Sequence, residues 1–84
     1  MTHKAHDLAT EFPNDVELLH NLKMTNGHFN TLAERYQEAN HAIIRIEAEL
    51  DAASDVRLED MKKERLSLLD QIGVLLRDAR QETA

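Results

Sequence analysis

The chain has no cysteine, no tryptophan, one proline and two glycines in 84 residues. Without cysteine there is no disulfide, no thiolate metal site and no cysteine nucleophile. With so little Pro and Gly, few positions can interrupt a helix. Aromatic rings are also scarce: Phe12, Phe29 and Tyr36 are the full set. That is too few for the stacking platform on which single-stranded nucleic acid is held. Cations are outnumbered, with 10 Lys and Arg against 16 Asp and Glu, a formal net charge of −6. An acidic balance argues against general affinity for a phosphate backbone or an anionic lipid surface. No apolar run approaches the roughly 18 residues of a membrane span. The opening Met1-Thr2-His3-Lys4 lacks the apolar core of a signal peptide. The expected location is therefore cytoplasmic, and the expected class is a single small domain.

What the sequence does have is apolar periodicity. Phe29, Leu32, Tyr36, Ala39, Ile43, Ile46, Leu50 and Ala53 recur at alternating steps of three and four. That is a heptad seam along one long helix. A second seam follows at Leu58, Met61, Arg65, Leu68, Ile72, Leu75 and Ala79. The two predict an all-α fold: a long antiparallel helical hairpin, coiled-coil-like, preceded by a short helix. The helices are expected at about 14–25, 27–53 and 55–80, after a flexible tail over 1–12 and before a frayed end over 81–84.

Local signals mark the joints. Pro13-Asn14-Asp15 opens the short helix, whose apolar stripe is Val16, Leu19 and Leu22. Asn26 is a good N-cap for the second helix, and Ser54 or Asp55 for the third. If the chain turns near Ser54, Leu50 meets Leu58, Ile46 meets Met61, Ala39 meets Leu68, Tyr36 meets Ile72 and Leu32 meets Leu75. Arg65 alone breaks the apolar layering. Its stem can lie across the seam while the guanidinium reaches water or a carboxylate such as Glu47. Asn40, beside the seam, is placed to fix register.

The third helix is apolar on more than one stripe. Leu66, Leu69, Gly73 and Leu76 form a second line that the hairpin partner does not cover. Leaving several Leu exposed forfeits about 1.5–3 kcal/mol each. The expectation is an association face, used for a homo-oligomer (dimer or tetramer) or for another protein.

There is no Gly-rich phosphate loop and no Ser-His-acid spacing on a plausible turn, so no enzyme activity and no cofactor are expected. Two alternatives remain. One is a regulator that contacts nucleic acid through Lys62 and Lys63, with Arg57 and Arg65 nearby. The other is a metal-responsive protein using His3, His6 and another of His20, His28 and His41. A solvated helix face and ordinary surface imidazoles are the blander readings, and both are favoured here.

Several of these residues also fall into a recognisable pattern. Phe12-Pro13, Leu22-Lys23, Asn26, His28-Phe29, Tyr36, Glu38, Asn40, Ile43, Arg45 and Glu47 lead to the run Met61-Lys62-Lys63-Glu64-Arg65-Leu66-Ser67-Leu68, then Asp70 and Ile72. With these the chain resembles the small bacterial YdcH-like family, which has no assigned biochemical function. The resemblance covers about Phe12 to Arg77 and implies a long α-hairpin with no catalytic residues to carry over. Leu69 and Gln71 depart from the Lys and Glu usual there, Gly27 from Pro and Ala39 from Leu. The Leu69 departure strengthens the second apolar line.

Overall fold

The computed structural model describes residues 7–83. Order begins earlier than the apolar periodicity indicates. α1 (Leu8–Glu11) is a single turn, closed by the Glu11 and Phe12 amides donating to Asp7 O at 2.9 Å and Leu8 O at 2.9 Å. Two apolar residues four apart hold it down: Leu8 is buried in the core, and Phe12 packs against it. A pair is too short to show a period, so this stretch reads as tail in the sequence. Residues 1–6 of that expected tail, like residue 84 of the expected frayed end, lie outside the described residues.

A 3-10 turn over Pro13–Asp15 redirects the chain, with Pro at its first position. There the missing N–H costs nothing. α2 (Val16–Thr25) follows. Asn26 then serves both neighbours. Its extended backbone (φ −128°, ψ 106°) ends α2, and its side-chain oxygen accepts the Phe29 amide at 3.0 Å to cap the next helix. Asn30 Nδ2 donates back to Lys23 O at 2.8 Å and locks the corner.

α3 (Gly27–Glu47) and α4 (Asp55–Thr83) are the two arms of the hairpin and make its principal packing. Ser54 caps α4 by accepting the Arg57 amide at 3.1 Å. The expected all-α hairpin with a leading helix is therefore the observed fold. α3 stops six residues short of the expected Ala53, and its 21 residues span about 31 Å. The stop is a Schellman motif. Glu49 takes a left-handed φ of 62°, its amide donates to Ile46 O at 3.0 Å, and the Leu50 amide donates to Arg45 O at 2.8 Å. Arg45 Nε also holds Asp51 at 2.8 Å across the same turn. That hydrogen bond keeps the Asp51 carboxyl below its ordinary pKa. Leu50 consequently leaves the seam and is 65% exposed.

Left-handed backbone costs a non-Gly residue about 1–2 kcal/mol. Glu49→Gly is therefore expected to raise stability by about 1 kcal/mol, the gain being trimmed by the entropy of glycine in the unfolded chain. Glu49→Val should lower it. Urea denaturation followed by circular dichroism reads both; a Val variant as stable as Gly would show that the turn is not strained at this residue.

The core is lopsided along the hairpin. Leu8, Leu22, Phe29, Leu32, Tyr36, Leu68, Ile72 and Leu76 form one cluster near the open end, where α1 and α2 add a third layer. Toward the turn there are two layers only. Ile43 is fully buried there, while Ile46, Leu58 and Met61 are half-buried. Leu75 is half-buried beside the main cluster. The molecule has a three-layered head and a two-helix tip, with extents of 45 × 27 × 18 Å.

Candidate interaction surface

The head is closed by the N-terminal strap. The Phe12 ring lies over Gly73, where a side-chain carbon added to the glycine would sit 3.8 Å from ring carbons Cε1 and Cζ. Arg80 Nη1 reaches Asp15 at 3.7 Å from the far end of α4. The strap explains the fate of the second apolar line. Leu76, expected on the association face, is fully buried at 0% exposure among Leu8, Leu22 and the α3 seam. Gly73 is half-buried under Phe12, and Leu69 is half-buried against the core. Leu66 alone of the four is open, at 58% exposure. The line is thus covered in its upper part by its own chain. The signal that could have found this is Leu8 and Phe12, an i, i+4 pair just before a proline.

The 3.8 Å separation is ordinary van der Waals contact, so Gly73 is not a close approach that forbids a side chain. Gly73→Ala is expected to stabilise by about 0.5–1 kcal/mol through helix propensity. A shift of the denaturation midpoint to lower urea would mean that Phe12 cannot yield even a few tenths of an ångström.

Tyr36 sits at the junction of head and tip and is 1% exposed. Burial pushes its phenol up to about 12, the negative charges of Glu11 and Asp7 add to the shift, and Arg65 opposes it. Below it, the hairpin arms are cross-tied. Arg65 Nη1 donates to Asn40 Oδ1 at 3.0 Å, and Lys62 Nζ meets Glu47 at 2.8 Å. The Arg65 guanidinium thus goes to Asn40, and Glu47 goes to the neighbouring Lys62. Lys63 pairs with Glu59 one turn back at 3.7 Å. The two ion pairs are exposed and contribute about 0–1 kcal/mol each. Their larger effect is on charge: two of the four cations in the supposed nucleic-acid patch, Lys62 and Lys63, are already paired with carboxylates within the chain.

An apolar groove of about 260 Å³ runs between α1, α2 and α3, floored by Val16, Leu19, Phe29 and Ala33 and rimmed by His20 and Glu34. His20, His28 and His41 are all exposed and lie on separate turns. No three His, Asp or Glu side chains converge on a possible metal among the described residues. His3 and His6 lie outside those residues. No buried polar or charged residue occurs among the described residues, and no buried side-chain nitrogen or oxygen lacks a partner. No described helix is long and apolar enough to cross a membrane.

The exposed apolar side chains that remain are scattered over α2 (Val16, Met24), the turn (Leu50) and α4 (Val56, Leu66, Val74). The three on α4 share one helix with Asp70 and Arg77, which make no ion pair among the described residues, and α4 is the surface with the most to offer a partner. No curated protein and no solved structure matches the chain. Residues 29–76, which contain most of α3, the turn and α4 through Leu76, match the family described as Protein of unknown function (DUF465). The matched span is more than half of the sequence and holds both hairpin arms with their cross-ties, and the chain belongs to that family.

Proposed function

We propose that this chain is a small non-catalytic module that works by self-association and by binding other proteins. One observation carries the reading: the head has its own core, while the tip is two helices deep with apolar residues in water. Val56 is 72% exposed and Leu66 is 58% exposed. A two-helix tip gains little from its own packing, and a partner would add the missing layer. The earlier likeness to the bacterial YdcH-like family is compatible with membership of a family of unknown function, and a cytoplasmic setting suits a chain without cysteine.

Sedimentation velocity over roughly 1–500 µM protein tests the reading. The mass of 9.6 kDa for one chain should rise toward twice that value with concentration. A single-chain mass throughout that range would remove the self-association claim. The nucleic-acid alternative has less support, since Lys62 and Lys63 already hold Glu47 and Glu59.

A further inference from the structure

We propose that self-association, as read above, occurs through antiparallel pairing of α4 with α4 of a second copy, centred on Leu66. The proposal rests on that reading and adds the surface and the register.

The strip concerned is Asp55, Glu59, Lys62, Leu66, Asp70 and Arg77, all exposed. Steps of three, four and seven put them on one side of a continuous helix. Gly73, seven after Leu66 on the same side, lies under the Phe12 ring, so that ring forms part of the face between Asp70 and Arg77. An antiparallel pair with Leu66 at the two-fold axis brings each residue opposite one equally far on the other side of Leu66. Lys62 of one protomer, shared with Glu47 of its own chain, then faces Asp70 of its partner. Asp55, near one end of the strip, faces Arg77 at the other. By symmetry each contact occurs twice. An apolar centre is thus flanked on both sides by opposite charges, and the strip is complementary to itself.

Two further observations favour a second copy over an unrelated partner. Asp70 and Arg77 make no ion pair among the described residues, although both lie on the fully formed α4. The cations are also concentrated here. Residues 55–77, which hold the strip, carry five of the ten Lys and Arg against five acidic residues, whereas 7–54 and 78–83 together hold four against eleven. Two copies of an acidic protein repel least where both signs are interspersed. The contact is small, so the dimer should dissociate in roughly the micromolar range.

Charge reversal tests this in a way that cannot be satisfied inside one chain. Asp55 and Arg77 are separated by 22 positions on one helix, about 33 Å. Arg77→Asp and Asp55→Arg should each weaken dimerisation by roughly three- to tenfold. The double variant should return to near the wild-type dissociation constant, because the swapped charges meet again across the interface. Leu66→Glu should abolish the dimer, with helicity by circular dichroism unchanged in all four variants. If wild type dimerises and the double variant is no tighter than the singles, the α4 register is wrong while self-association stands. If wild type stays a single chain, both claims fail, and the strip is left to a partner of another kind. If the dimer forms only after residues 1–6 are removed, that segment is the occupant of the strip and the proposal is overturned.

Discussion

Leu76→Ala is expected to lower stability by about 2–5 kcal/mol, and Leu66→Ala by no more than about 0.5 kcal/mol in dilute protein. Both are leucines on the same apolar line of α4, ten residues apart, and their side chains are chemically identical. Their surroundings decide the difference. Leu76 is 0% exposed, packed in the cluster with Leu8, Leu22, Phe29 and Ile72. Truncation leaves a cavity that α1 and α2 cannot collapse into without moving the Phe12 strap. Leu66 is more than half in water, so truncation removes little that folding had hidden. A domain of this size has about 5–10 kcal/mol to lose in all. At roughly 4–8 °C per kcal/mol, the Leu76 variant should melt at least about eight degrees lower. Thermal and urea unfolding at low micromolar concentration read both. Equal costs for the two variants would mean that the strap does not cover α4 in solution.

That contrast also shows where the sequence is a sufficient guide and where it fails. Period and spacing identify α3 and α4 as hairpin arms, because a seam of seven apolar steps has no other economical partner than a second seam. Asn26 is legible as a joint, since an amide side chain before Gly27 and Phe29 has an obvious amide to accept. Asn40 beside Arg65 marks the register, although the sequence alone sends Arg65 to water or to a carboxylate such as Glu47. The end of α3 is not legible. Helix stops in left-handed backbone are read from glycine, and here Glu49 takes that position. The apolar pattern runs on through Leu50 and Ala53 while the backbone has already turned. The association line fails for a different reason. Periodicity reports that a residue is apolar on a face, not what covers that face. A strap made of Leu8 and Phe12 has no period of its own, and it half-buries Gly73 and helps take Leu76 out of solvent.

The placement of Tyr36 predicts alkaline behaviour that is simple to isolate, since it is the one tyrosine and there is no tryptophan. Its phenol is buried at the junction of strap and hairpin, and its pKa is raised from 10.0 to about 12. The folded state therefore holds the proton more tightly than the unfolded chain does. Stability from this group is complete below pH 10 and is lost as pH rises from 10 through about 12. The gap corresponds to about 2–3 kcal/mol. The comparison is between wild type and Tyr36→Phe, which differ in this ionisable group alone. Wild type should lose stability more steeply above pH 10, and the difference between the two curves should approach that figure. Tyrosinate absorbance gives an independent reading: a midpoint near 10 in denaturant, and in native buffer one close to 12 or coincident with unfolding. Ionisation at pH 10 with the helical signal intact would mean that water reaches the phenol, and hence that α1 does not close over Tyr36. The same titration on Phe12→Ala links the two ends of the strap. Removing the ring that lies on Gly73 should loosen α1 and move the tyrosinate midpoint toward 10. An unchanged midpoint would show that Leu8 holds α1 in place without Phe12.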